Sequence, residues 1–199
     1  VSYAQFIPSP EEFPHHLFEQ VSREITNEDI ICDVGCGFGY STCYMTECLV
    51  ASDKRPKFYA FDQWGIGDEE PFPVFTQWGE PFDQWMKRVG GPAALLDQFL
   101  FHLRNNPCRE RLTDWAQFPS HTICNNFADQ SVVFAFLHAS RDRERVLREI
   151  RGWWPKISKN GGKLAVLGVA EDGVSQAVKE YCADSIAIDF RDNTYILFK

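Results

Sequence analysis

Asp33, Gly35, Gly37 and Gly39 stand at alternate positions in the run Ile30-Ile31-Cys32-Asp33-Val34-Gly35-Cys36-Gly37-Phe38-Gly39-Tyr40-Ser41-Thr42. An apolar run that ends in an acid and enters a glycine-rich turn reads as a buried strand opening a helix, the arrangement that holds a nucleotide cofactor. Glycines there let the backbone approach a ligand where a Cβ would clash. The spacing narrows the ligand. A dinucleotide fingerprint has the form G-x-G-x-x-G, which counted from Gly37 needs glycine at Tyr40; the glycine is at 39 instead. A second apolar run ending in an acid, Lys57-Phe58-Tyr59-Ala60-Phe61-Asp62, follows 23 residues after Gly39. In a β-α-β unit the two strands lie side by side, so the Asp62 carboxylate reaches ribose hydroxyls; its other use is to cap a turn.

The pattern D-x-G-x-G-x-G resembles motif I of the class I S-adenosylmethionine-dependent methyltransferases. S-adenosyl-L-methionine has no pyrophosphate to cradle, and an acid near the strand end can receive its ammonium. The resemblance implies cofactor contacts from Asp33, Gly35, Cys36, Gly37, Phe38 and Gly39, and from Asp62 with Gln63. Further on, Val133 to Ser140, the stretch Val146 to Ile157 with Trp153-Trp154-Pro155, Gly161-Gly162, Gly173-Val174 and Ala177 to Glu180 resemble the small-molecule O-methyltransferase group that includes antibiotic-tailoring and sugar-modifying enzymes. The likeness covers most of Ile30 to Ala183. By the same resemblance Asp114, in Arg111-Leu112-Thr113-Asp114-Trp115, follows the third strand and meets the adenine amino group. Trp115 either stacks on the adenine or belongs to the core.

The chain departs from that group at its metal signatures. Where members with a divalent metal carry Ile-Asp-x-x-His and Gly-His-Asp patterns, this sequence has Leu137-His138-Ala139-Ser140-Arg141 and Leu167-Gly168-Val169-Ala170-Glu171-Asp172. An arginine at a ligand position opposes cation binding, and hard metals want several oxygens, so no metal site is expected. His138, at the end of the fourth strand, is the candidate catalytic base, with Glu171 and Asp172 nearby after the fifth. The activity so implied is methyl transfer to a small-molecule acceptor, by O-methylation without a metal. The alternative is a catalytically degenerate domain of this fold, kept as a cofactor-binding or assembly module. An NAD-dependent dehydrogenase is disfavoured by the glycine spacing.

Alternating strands and helices must position these groups. Ser9-Pro10-Glu11-Glu12 has the form of a capping box, predicting a helix to about Ile25. Tyr40 to about Ala51 follows the first strand as a helix. Ser131 to His138 reads as a strand, Arg141 to Lys156 as a helix, Gly162 to Gly168 as a strand and Val174 to Ala183 as a short helix. Ser185 to Phe190 and Thr194 to Phe198, about the Arg191-Asp192-Asn193 turn, close the chain as a hairpin. The pattern predicts an α/β fold: a Rossmann-like, doubly wound, mostly parallel seven-stranded sheet with helices on both faces and an antiparallel last strand. Residues 63–106 interrupt the rhythm with Trp64, Phe72, Phe75, Trp78, Phe82 and Trp85, an insertion that serves as a lid, as a satellite core, or as both. Ala93 to Leu103 within it reads as a helix with a buried face.

At 199 residues the chain is one domain by size. Seven cysteines, odd in number and without a C-x-x-C pair, argue for reducing surroundings such as the cytoplasm. No apolar run is long enough to span a membrane. The chain starts at Val1 rather than methionine, which leaves a preceding segment open. A net charge of −8 opposes a nucleic-acid partner. Arg141, Arg145 and Arg148 are expected on one face of a helix, which is either solvated and neutralised by Asp142, Glu144 and Glu149 or an anion site.

Overall fold

A computed structural model describes residues 2–7, 13–64, 90, 93–138, 140–182 and 187–199. The parallel strands β1 (Ile30–Val34), β2 (Lys57–Asp62), β3 (Asp114–Gln117), β4 (Val132–Leu137) and β5 (Lys163–Leu167) are followed by β6 (Ala187–Arg191) and β7 (Thr194–Phe198). They form one sheet in the order β3-β2-β1-β4-β5-β7-β6. β7 enters between β5 and β6 and runs antiparallel to both. The expected doubly wound sheet with an antiparallel last strand is thus the observed one.

The strands read as near-continuous apolar runs because both faces are covered. Their two-residue period sorts the side chains. Ile31, Phe58, Ala60, Phe134, Phe136 and Ala165 face α1 (His15–Glu24), α2 (Tyr40–Ala51) and α3 (Ala93–Asn105). Cys32, Val34, Phe61, Ala135, Leu137 and Val166 face α4 (Ser120–Ile123), α5 (Arg143–Trp153) and α6 (Asp172–Cys182). Asp33 therefore shares the face of α2, the helix its own turn opens.

The continuous helix through residues 13–14, the place of Arg141 on a helix and the place of Asp114 after its strand are corrected here. The capping box lies at 9–12, outside the described residues, and the described helix begins at His15 after a non-helical Pro14 (ψ 66°). Proline lacks an N–H and disfavours helical backbone before it, so Pro14 starts the helix rather than being passed through. Arg141 precedes α5 instead of lying on it; Asp142 is the N-cap and accepts the Arg145 N–H at 3.0 Å. Asp114 opens β3 rather than following it. Of the 63–106 insertion, 65–89 and 91–92 are outside the described residues, including Phe72, Phe75, Trp78, Phe82 and Trp85. Its described end, α3, packs into the first-face core through Leu95 and Phe99.

Candidate functional site

Parallel register brings four strand ends to one edge. Val34 is opposite Phe61 and Leu137, and Asp62 is opposite Gln117. The turn after β1 grows out of this register: the Gly35 N–H donates to the Phe61 carbonyl at 2.7 Å, and the Gly39 N–H to the Cys36 carbonyl at 2.7 Å. All three turn glycines have positive φ, at 87°, 50° and 91°. Their uses differ. A Cβ on Gly37 would meet nothing within 4 Å, so that side of the turn is open. A Cβ on Gly39 would lie 3.0 Å from the Phe99 ring, so Gly39 also lets α3 pack under the start of α2. Cys36 and Phe38 are buried in the first-face core.

Asp33 is buried at 2% exposure. Its Oδ2 accepts the Ser41 hydroxyl at 2.7 Å and the Thr42 hydroxyl at 2.5 Å, both from the first turn of α2. Among the described residues its Oδ1 has no hydrogen-bond partner. Burial pushes its pKa up to about 6, Ser41 and Thr42 oppose that rise, and the neighbouring Asp62 adds to it. A buried acceptor lacking a partner beside an open glycine turn suits a ligand that brings positive charge. Asp62 caps the β2 end: its Oδ2 accepts the Gly37 N–H at 2.8 Å and its Oδ1 the Trp64 N–H at 2.7 Å. The Gln63 carbonyl accepts the Gln117 side-chain amide at 3.0 Å. The two acids and the glycine turn are thus brought together at one edge of the sheet.

Asp114 and Trp115 are not brought to this edge. β3 runs parallel to β2 with Asp114 opposite Tyr59, so Asp114 lies three residues, roughly 10 Å, short of the strand end. Trp115 packs edge-on to Trp64 at 5.7 Å and to Phe99 at 5.9 Å, as part of the core. Gln117 and the exposed Phe118, whose N–H donates to the Asp62 carbonyl at 2.9 Å, occupy the place assigned to them.

His138 lies at the β4 end, its N–H donating to the Val34 carbonyl at 2.8 Å. The ring is half-buried beside Phe136, at 6.3 Å. Burial first, and then the Arg141 guanidinium, lower its pKa to about 4, so it is neutral at physiological pH. Arg141 donates to Glu171 at 2.8 Å, tying the loop after β4 to the loop after β5. Among the described residues, no group of three or more His, Cys, Asp or Glu is placed to hold a metal ion.

Residue reading missed Ser41, Thr42 and Trp64. The hydroxyls were legible as Ser-Thr one residue beyond the last glycine, after Tyr40, where a first helical turn faces back toward the strand end. Near them His15 Nε2 lies 2.7 Å from the Tyr40 hydroxyl, a link between the starts of α1 and α2 that has no sequence signal because 25 residues separate the partners.

No protein-family model matches the chain, and no curated protein matches it in sequence. Solved structures do match it. The O-methyltransferase NovP superposes with a TM-score of 0.67 at 15% identity, over 93% of this chain and 78% of that one. The calicheamicin methyltransferase CalS11 gives 0.59 at 14%, over 92% and 76%. An rRNA methylase from Streptococcus thermophilus gives 0.55 at 15%, over 96% of each chain. The chain has the Rossmann-like methyltransferase fold. Its structural neighbours include enzymes named for small molecules and others named for RNA.

Proposed function

We propose that this protein is an S-adenosylmethionine-dependent methyltransferase that O-methylates a small-molecule acceptor without a divalent metal. The observation that carries the reading is the Asp33, glycine-turn and Asp62 constellation at one edge of a methyltransferase-fold sheet. When bound, S-adenosylmethionine supplies a methyl group made electrophilic by its sulfonium. Asp33 balances the ammonium of the amino-acid tail, the open side of Gly37 admits the cofactor against the backbone, and Asp62 accepts the ribose hydroxyls. Gln63 follows Asp62 at the same edge. Asp114 and Trp115 take no part in this reading.

His138 accepts the acceptor's proton at a ring nitrogen. With a conjugate acid near pH 4 it is a weak base, suited to an acidic, phenol-like hydroxyl or to proton removal concerted with methyl transfer. The Arg141–Glu171 pair stands where metal-using relatives place ligands, and its guanidinium supports a metal-free site.

Calorimetric titration with S-adenosylmethionine and S-adenosylhomocysteine, with and without magnesium and repeated on Asp62→Ala, tests the proposal. Micromolar binding that is indifferent to magnesium and lost in the variant is the expected result. No binding by the unaltered protein would overturn it in favour of a degenerate assembly module.

One observation favours a second acceptor class. Burial first, and then the nearby Arg148 and Arg145, lower the His121 pKa. Arginines beside α4 offer phosphate contacts, and an rRNA methylase is among the similar structures.

A further inference from the structure

Trp64 adopts a backbone conformation that a bulky side chain rarely tolerates, with φ at 44°, and it is buried at 1% exposure. Such a conformation persists only where its surroundings over-determine it. Here three hydrogen bonds do so. The Trp64 N–H donates to Asp62 Oδ1 at 2.7 Å, the indole Nε1–H donates to the Gly37 carbonyl at 2.8 Å, and the Gly37 N–H donates to Asp62 Oδ2 at 2.8 Å. Together they close a ring that joins the turn after β1 to the end of β2. The indole is itself held by Phe99, at 4.7 Å, and by Trp115, at 5.7 Å. Phe99 also meets Gly39 from below.

A tryptophan that served only the core would need burial and any one acceptor for its N–H. This one directs both of its donors to Gly37 and Asp62, the two residues assigned to the cofactor. We propose that Trp64 is the positioning residue of the cofactor site. Through the Gly37 carbonyl it fixes the plane of the turn, and through its own N–H it sets the Asp62 carboxylate for the ribose hydroxyls. The identity of the ligand rests on the methyltransferase reading; the clamp rests on the geometry.

Trp64→Phe keeps an aromatic ring and the backbone N–H to Asp62, and removes the indole donor together with part of the buried ring volume. Titration with S-adenosylhomocysteine is expected to show an affinity loss of about tenfold, the scale of one hydrogen bond in a charged network. Adenosine and 2′,3′-dideoxyadenosine supply the decisive comparison. If the indole bond to the Gly37 carbonyl holds the Gly37 N–H on Asp62, the preference for adenosine shrinks in the variant; if both nucleosides weaken equally, or neither changes, the proposal is overturned. Hydrogen exchange without ligand separates this from the cofactor reading. Faster exchange of the Gly37 amide in Trp64→Phe, with β5 and β7 amides unchanged, supports the clamp even if no nucleoside binds, and unchanged Gly37 exchange rejects it. Should the variant fail to fold, exchange of the Trp64 indole N–H in the unaltered protein decides: protection comparable to β1 amides supports the clamp, and the rate of an exposed indole overturns it.

Discussion

In the proposed function, Asp33 is the residue whose ionisation would couple the fold to the cofactor. An unfolded aspartate loses its proton near pH 4, whereas Asp33 in the native state keeps it to about pH 6. Between those values the native state binds more protons, so this residue's contribution to stability falls as pH rises, by at most about 1.4 kcal/mol per unit. A cation at the turn has the opposite preference, because it binds the ionised form. S-adenosylmethionine affinity is therefore expected to rise with pH up to about 6, by as much as tenfold per unit, and then level off. Calorimetry across that range checks it. Asp33→Asn, which can still accept from Ser41 and Thr42, should flatten the dependence and raise stability at neutral pH. An affinity that falls as pH rises would contradict the assigned role.

At the scale of elements, the loop after β4, which the proposed function places beside the methyl acceptor, is set by how closely α6 approaches it. A Cβ built on Gly173 would lie 2.2 Å from the Arg141 carbonyl oxygen and 3.1 Å from the Arg143 nitrogen, both backbone atoms. Gly173→Ala must therefore push α6 away or shift the segment carrying Arg141, at a cost of about 1–3 kcal/mol in a packed interface. Its effect should be selective. S-adenosylhomocysteine affinity should stay within about twofold, because Asp33 and Asp62 lie on β1 and β2, while kcat falls by tenfold or more. Chemical denaturation with paired binding and turnover assays reads all three quantities. Element reading from sequence succeeded for α2, β2 and β7, where apolar period and turn residues agree. It erred where one residue overrides the pattern, as Pro14 does in starting α1 and Asp142 does in capping α5.

For the molecule as a whole, the question is whether one local basic patch outweighs a net charge of −8. The arginines nearby are largely compensated: Arg141 pairs with Glu171, Arg143 with Glu144 and Glu180, and Arg151 with Glu180 at 3.8 Å. Self-repulsion between an acidic protein and a phosphate backbone grows at low salt, where an RNA-binding protein would bind best. The small-molecule reading thus expects no measurable affinity for a short single-stranded RNA in fluorescence anisotropy at low salt. Affinity that is present there, declines as salt is added and is lost in a double Arg145→Ala, Arg148→Ala variant would favour the RNA reading.

What could be read along the chain was local chemistry and order: a strand, a glycine turn and a helix start are contiguous, so Asp33, Gly35, Gly37 and Gly39 declared their turn, and the acid ending the next apolar run declared Asp62. A mostly parallel sheet followed from alternation, because parallel neighbours need crossover helices, whereas the strand order was seen only in the structure. Which end of a strand a residue occupies is a matter of register between segments, and register is decided by pairing partners distant in sequence. That is why Asp114 was assigned to the cofactor edge although the pairing of Asp114 with Tyr59 puts it well below. The pKa values of Asp33 and His138, the Arg141–Glu171 bridge and the Trp64 clamp likewise exist only once burial and long-range contacts have formed, since each depends on groups that the chain brings together from different strands and loops.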